Sequence, residues 1–447
     1  MNTQHSDMNR RQFMLKSTKA VGAVSILPTF SFAGTNLIPD KIKVVLIGTG
    51  SRGSSCWGKD LVGPYRDYVE MVGLCDINQK RVEVAKSMIG IDAKTYHSSK
   101  FDQMISEQKP DVVIVTTTDC YHVDYILRAL ELGCDVISEK PIATEADQCQ
   151  RILEAEHKTG KKVYVGFNVR HSNESIEMKR ILSSGELGKI IAVEYHEYLD
   201  TQHGASYFRR WHGKTKYSGS LLVHKSSHHF DLINWLLDAD PVEVQAIGET
   251  AFYGSNKDFR GKNCRDCAYK TKCDFFWDMT KDKNSMRMYA DCEDIDHYYR
   301  DGCVWDKEID SYDTSSVQVI YSNGTQLTYS LNAYLPYEGQ YICFSGENGR
   351  LDVRLNYRQP WETVAPYEFR LAKNRETTKT WTLQSGEGGH GGADERVKDM
   401  FFKPNQPDPT GQKATAKAGV MSSMIGIAAR KSIETGRKIR IEEMIRL

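Results

Sequence analysis

Three glycines, Gly48, Gly50 and Gly53, stand at G-x-G-x-x-G spacing directly behind a short apolar run, residues 42–47. A run with so little alternation reads as a strand buried on both faces. Each glycine has its own steric task. The first permits a tight turn out of the strand, the second lets main chain approach a pyrophosphate, and the third lets the next helix pack close to the sheet. The amides opening that helix, at Ser51 and Arg52, then face the phosphates. A second strand-like run, 69–75, ends in Asp76, about 20 positions beyond the glycines, where an acid takes the adenosine ribose hydroxyls. The same carboxylate repels a 2′-phosphate, so NAD is expected over NADP. The competing reading is a nucleotide-free turn with a surface Asp; strand, loop and acid in sequence favour the cofactor.

At 447 residues the chain can bury two substantial cores. Lys plus Arg and Asp plus Glu both number 59, so neither a basic excess for nucleic acid nor an acidic scaffold tail is present. The N-terminus carries Arg10-Arg11-Gln12-Phe13, a weakly apolar stretch over 20–32 and a small-x-small site at Ser31-Phe32-Ala33. This reads as a twin-arginine export signal over 1–33 and places the mature protein in the periplasm. Pro28 interrupts the stretch, which is too short for a membrane span. A retained amphipathic tail is the alternative. Twin-arginine export carries folded proteins, so an exported enzyme can bring its own NAD. The 11 cysteines are an odd total, which argues against a complete disulfide framework. Cys56, Cys75, Cys120, Cys134 and Cys149 read as buried thiols.

Strand and helix alternate from about residue 40 to 165: helix 78–88, strand 111–117, helix 121–132, strand 135–138, helix 145–159 capped by Thr144, and strand 162–167. That rhythm implies a parallel, doubly wound Rossmann sheet, whose ligands sit at the carboxyl ends of the strands. Thr117, Asp119, His122, Glu139, Lys140 and Asn168 fall on those ends and join Gly48, Gly50, Ser51, Arg52, Gly53 and Asp76 as the expected cofactor contacts. Residues 166–447 read as a second, α+β domain with a mostly antiparallel sheet. It contains a helix over 218–237, a Cys- and Tyr-bearing insertion at 251–310, and a last helix, 415–435, packing back toward the first domain.

Lys140, in Glu139-Lys140-Pro141 at a strand end, is placed to hydrogen-bond a substrate hydroxyl and favour its alkoxide; a solvated Lys is the bland alternative. His224 and His228 are four apart, so on a helix they share a face, with Asp231 three beyond His228 to orient it. Imidazole is the natural acceptor of a hydroxyl proton near neutral pH. Metal ligation by this pair lacks an evident third ligand, and ordinary helix histidines remain the other reading. Cys264-x-x-Cys267 with Cys273 and Cys303 (or Cys292) has zinc-knuckle spacing, so a structural Zn is expected over an iron–sulfur cluster, with one or two disulfides as the alternative. The glycine-rich loop 388–396 carries His390 and Asp394, which either close over a polyhydroxylated substrate or form a surface turn.

Assembled, these stretches resemble the glucose–fructose oxidoreductase / inositol dehydrogenase (Gfo/Idh/MocA) family. The resemblance rests on 48–53, Asp76, 116–122, Glu139-Lys140-Pro141, 166–170 and 219–231, and spans essentially the whole mature chain. It implies NAD(P)-dependent oxidation or reduction of sugars or cyclitols, a small-molecule carbohydrate partner, homo-oligomers packed through the open sheet, and Lys140 with His228 as the catalytic pair. Within the matching stretches Arg170 and Lys225 join His390 and Asp394 as expected substrate contacts. One departure is His224, where many relatives have an Asp four residues before the catalytic His. Some relatives oxidise a sugar transiently, eliminate or exchange a group, and reduce it again. A redox-neutral glycosidase or lyase therefore stands beside the dehydrogenase reading, and a catalytically silent sugar-binding protein beside both.

Overall fold

The apolar run ahead of the glycine loop is the centre of a six-stranded parallel sheet. In the computed structural model, which describes residues 41–361, 366–376 and 378–446, its strands are β1 (Ile42–Ile47), β2 (Val69–Asp76), β3 (Lys94–His97), β4 (Val112–Val115), β5 (Asp135–Ser138) and β6 (Val163–Val165). The expected export signal, 1–33, lies outside the described residues. The strands are ordered β3-β2-β1-β4-β5-β6. Val44, Val45 and Leu46 are fully buried, which is why β1 shows no alternation. Strand order reverses between β1 and β4, and the crevice at their carboxyl ends is where such a sheet takes a ligand. The edge strand β3 was not expected: Lys94-Thr95-Tyr96-His97 has no apolar run, because the strand pairs with β2 alone.

Local chemistry accounts for the flanking helices. Asn78 caps the helix Gln79–Ile89 by accepting from the Arg81 amide, and Gly90 closes it in the left-handed conformation. The helix Ala146–Thr159 is capped by Glu145 in a capping box with Gln148, rather than by Thr144.

The second sheet is β7 (Ile190–Asp200), β8 (Pro241–Glu249), β9 (Thr314–Tyr321), β10 (Gln326–Leu335), β11 (Glu338–Gly346), β12 (Gly349–Arg358), β13 (Tyr367–Lys373), β14 (Lys379–Leu383) and β15 (Ile439–Arg440). Their order is β14-β13-β12-β11-β7-β10-β9-β8-β15, antiparallel throughout except for β10 against β7. Strict alternation of buried and exposed residues along β9 shows one face packed and the other open. The polar stretch after β7 is helical over Thr201–Phe208, with Asp200 capping through the Gln202 and His203 amides.

The expected helix over 218–237 is two pieces, Leu221–His224 and Ser227–Leu237. Hydrogen bonds compete with its ladder: Lys140 Nζ and Ser227 Oγ both donate to the His224 carbonyl, and Ser226 Oγ is bonded to the Tyr329 hydroxyl. The last helix, Ala416–Thr435, is buried on nearly every side. It is wedged so closely that a Cβ at Gly419 would lie 2.6 Å from Val165, and one at Gly426 2.3 Å from the Leu222 carbonyl oxygen. Among the described residues no helix is long and apolar enough to cross a membrane.

The insertion between β8 and β9 corrects a second expectation. Cys264, Cys267, Cys273 and Cys303 line one cavity of about 20 Å³. Among the described residues, however, no three His, Cys, Asp or Glu side chains converge as metal ligands, and all these thiols are free. Cys264 Sγ instead accepts from Arg209 Nη1 at 3.0 Å. The staple expected of zinc is supplied by the rings of Phe252, Tyr253, Phe275 and Trp305, with centroids 5.0–6.2 Å apart. Beside them, buried Asp301 takes both the amide and the guanidinium of Arg265.

Candidate active site

The carboxyl ends of β1, β4 and β5 open into a cleft of about 1860 Å³, walled on the far side by the broken helix and the insertion. Pockets for one small ligand run to roughly 1,000 Å³, so this volume accommodates a dinucleotide and a sugar together. The glycine loop has the form a pyrophosphate needs. Gly48 has φ +88°, and a Cβ there would lie 2.6 Å from the Thr116 carbonyl; at Gly53 it would lie 2.2 Å from the Gly48 oxygen. At Gly50 the nearest atom to a Cβ is the Tyr289 hydroxyl, at 3.6 Å, so backbone faces the cleft.

Asp76 anchors this loop. Its Oδ2 accepts from Thr49 N and Oγ1 at 2.6 and 2.9 Å, and its Oδ1 from Asn78 N at 2.8 Å, while the residue still lines the cleft. Arg81 lies between Asp76 at 3.7 Å and Asp296 of the insertion at 2.7 Å. Ser51 N donates to Tyr289 Oη at 2.9 Å, bringing the insertion onto the glycine loop. Nothing in the sequence pointed to Tyr289, because the insertion has no periodicity to read.

Arg52 ties several expected contacts into one network. Its Nε donates to Glu139 Oε1 at 2.6 Å, and its two terminal nitrogens reach Asp394 at 3.0 and 3.2 Å. Trp57 Nε1 also donates to Glu139, and Asn168 Nδ2 to Asp394. Burial acts to raise Glu139, but Arg52 and the indole hold it below the usual carboxylate range. Asp394, expected on the substrate, is buried and already takes Arg52, Asn168 and His390, so it latches the 388–396 loop to the glycine loop. His390 remains on the exposed side of that latch and lines the cleft.

Lys140 Nζ donates to the His224 carbonyl at 3.0 Å and lies 3.3 Å from His224 Nε2. Burial pulls Lys140 down to about 8, against the opposing influence of Asp119 and Glu139. His224 Nδ1 is 2.6 Å from Asp119 Oδ2. Burial, then the positive Lys140, Arg210 and Lys225, keep His224 well below the ordinary imidazole range. With Nδ1–H donated to Asp119, Nε2 presents a lone pair toward Lys140. Asp119, expected on the cofactor, is thus engaged by His224. His122, expected there too, is buried with its ring nitrogens against the carbonyls of Pro141 and Thr117, where it braces the two strand ends. Thr117 lines the cleft.

His228 reaches the same cleft, edge-on to Phe167 with centroids 5.9 Å apart, and its Nδ1 has no hydrogen-bond partner among the described residues. Burial and the neighbouring Lys140 and Lys225 hold it neutral. Asp231 does not orient it. That carboxylate is bidentate to Arg170, at 2.6 and 2.7 Å, and both residues are buried. Arg170 is therefore sealed beneath the cleft, a correction to its expected place on the substrate. The helix break also means that His224 and His228 do not share one helical face. Lys225 does line the cleft, 3.2 Å from buried Glu197. His212, stacked on Trp211 and 4.2 Å ring to ring from His224, completes this wall and was not anticipated.

Residues 42–167 match the model of an oxidoreductase family with an NAD-binding Rossmann fold, and residues 179–441 match that family's C-terminal α/β domain. The putative oxidoreductase YteT of Bacillus subtilis is 34% identical over 427 residues, covering 90% of this chain and 99% of that protein. Inositol 2-dehydrogenase of Salmonella typhimurium is 33% identical over 176 residues, 38% of this chain and 48% of that enzyme. Among solved structures, an oxidoreductase domain protein from Kribbella flavida aligns with TM-score 0.65 at 16% identity, covering 90% of this chain and 99% of that one. The WlbA dehydrogenase from Bordetella pertussis, in complex with NADH and UDP-GlcNAcA, aligns with TM-score 0.60 at 18% identity, covering 90% and 98%. These structural likenesses speak to the fold.

Proposed function

The chain belongs to the Gfo/Idh/MocA oxidoreductase family, and on that footing we propose that it moves hydride between NAD and a CH–OH group of a sugar, glycoside or cyclitol. The observation that carries the reading is one cleft holding both the glycine loop and Lys140, with Lys140 brought to about 8 beside an Asp119-held His224. Gly48, Gly50, Ser51, Gly53 and Asp76 would hold the dinucleotide; when bound, its nicotinamide supplies the hydride acceptor. Lys140, as an ammonium, hydrogen-bonds the substrate oxygen and favours the alkoxide. A neutral imidazole takes the hydroxyl proton. His228, which lines the cleft, and His224, with Nε2 facing Lys140, are the two groups available for this step. Lys225, paired with Glu197, and His390 contribute further contacts to hydroxyls. Arg81, already held by Asp296, is poorly free for a 2′-phosphate, which supports NAD over NADP. The inositol dehydrogenase match and the NADH-bound WlbA structure support the same cofactor and the cyclitol or sugar class.

One observation favours a second reading. Tyr289 on one side and the Arg52–Asp394 latch on the other hold the insertion and the 388–396 loop against the glycine loop. A nucleotide bound there would exchange slowly, which suits a redox-neutral cycle in an exported enzyme. Purified protein given NAD and a panel of sugars and cyclitols tests both. NADH formed in step with substrate supports net dehydrogenation. Glycoside cleavage without added NAD and without net NADH supports the cycle, and the absence of either reaction contradicts the enzyme reading. Export by the twin-arginine signal and assembly through the open sheet face are part of this proposal. Cell fractionation and the solution mass test them.

A further inference from the structure

Among the described residues, Arg210 and Arg300 are cleft cations without an ion pair, as are Lys140, Arg209 and Lys262. Arg210, just past the helix Thr201–Phe208, and Arg300, at the end of the insertion, both line the cleft. Arg52 and Arg81 line the same cleft and are each held by two carboxylates, Glu139 with Asp394 and Asp76 with Asp296. Neither Arg210 nor Arg300 forms an ion pair with any described residue. Among the described residues the Arg210 guanidinium hydrogen-bonds only to Ser206, donating to its carbonyl and hydroxyl oxygens. Its guanidinium lies 5.6 Å from the ring centre of Tyr207, and that of Arg300 lies 4.9 Å from the ring centre of Tyr289. Burial first, and then Arg300, push Arg210 down to about 10, whereas for Arg300 burial is outweighed by Tyr298, Tyr289 and Asp282, which raise it.

Two half-buried guanidinium groups that repel each other and have no paired carboxylate are costly to hold together. Such an arrangement is expected where an anion completes it, and guanidinium forks match the planar geometry of carboxylate and the oxygens of phosphate. Its position bears on the chemistry. The Tyr207 ring beside Arg210 is 5.5 Å from the ring of His224, and Tyr289 beside Arg300 receives the Ser51 amide of the glycine loop. The pair therefore spans from the proton-handling groups toward the nucleotide loop.

We infer that Arg210 and Arg300 form an oxyanion site for the carboxylate or phosphate of an acidic sugar substrate. This rests on the hydride-transfer reading and narrows its substrate class. The cofactor's own pyrophosphate is the other source of the same chemistry, and the test separates the two. The protein, with and without NAD, is titrated calorimetrically with D-glucuronate, with its uncharged counterpart D-glucose, and with inorganic phosphate. NADH affinity is followed by fluorescence. Wild-type protein is expected to bind glucuronate and phosphate at least about tenfold more tightly than glucose, the worth of a charge-assisted contact. Arg210→Gln and Arg300→Gln should abolish that preference and leave glucose binding alone, while Arg210→Lys keeps part of it. Loss of NADH affinity in the Gln variants, without an anion preference among the sugars, assigns the oxyanion to the pyrophosphate. A preference that survives both Gln substitutions, or no preference together with unchanged NADH affinity, overturns the site. The wild-type comparison needs no variant to fold. A protein that takes up no nucleotide sinks the hydride-transfer reading while leaving the nucleotide-free anion comparison intact.

Discussion

Lys140 is under opposed pressures: burial drives its ammonium toward neutrality, while Asp119 and Glu139 favour the charge, leaving it at about 8. If it acts as the ammonium that steadies an alkoxide, its donor is fully present below that value and is lost as pH rises through it. The expected outcome is a kcat/KM for substrate oxidation that falls above about pH 8, read from a pH–rate profile, with the fall absent in Lys140→Arg. Lys140→Ala should lower kcat by about 10²–10⁴-fold, the usual worth of a positioned proton-handling group, with the melting temperature little changed. Lys140, His224 and His228 were legible because the strand rhythm puts the first at a carboxyl end and the spacing flags the other two. Their partners were not. Asp119 meets His224 across 105 residues, and Asp231 ignores its neighbour His228 for Arg170, 61 residues away. A bidentate guanidinium outcompetes a lone imidazole nitrogen for a buried carboxylate, and sequence separation hides that competitor.

The glycine loop is the element on which nucleotide binding depends, and its sterics give a sharp test. A methyl group at position 53 would press on the Gly48 oxygen at 2.2 Å and on Thr116 Oγ1 at 2.6 Å. Gly53→Ala should cost about 1–3 kcal/mol of stability, as overpacking does, and weaken NADH binding. Urea denaturation and NADH fluorescence check the two effects together, and an unperturbed variant would contradict the loop geometry. Elements built on strong apolar patterns, β1 among them, were readable. The edge strand β3 was not, because it needs no buried face pattern. The break after His224 was not either, because its cause is a set of side-chain hydrogen bonds from Lys140, Ser226 and Ser227 that no local propensity records.

At the scale of the whole molecule, the insertion is bound to the nucleotide side through Tyr289, Asn78 and Arg81 rather than hanging free. Its spacing of cysteines suggested metal; its packing is aromatic and ionic. Overnight chelation should therefore leave the thermal melt unchanged, and a drop in melting temperature would restore a thiolate-bound metal. The doubly wound sheet and the mostly antiparallel sheet were both evident from the strand rhythm, whereas the contacts that close the cleft come from segments without any period. The proposed chemistry stands on a nicotinamide dinucleotide lodged between the glycine loop and Lys140. Native mass spectrometry of the purified protein, before and after incubation with NAD, tests this most directly. It should show one dinucleotide per chain, retained from purification or taken up on addition. A spectrum of bare chain under both conditions, with NADP giving the same result, would contradict it.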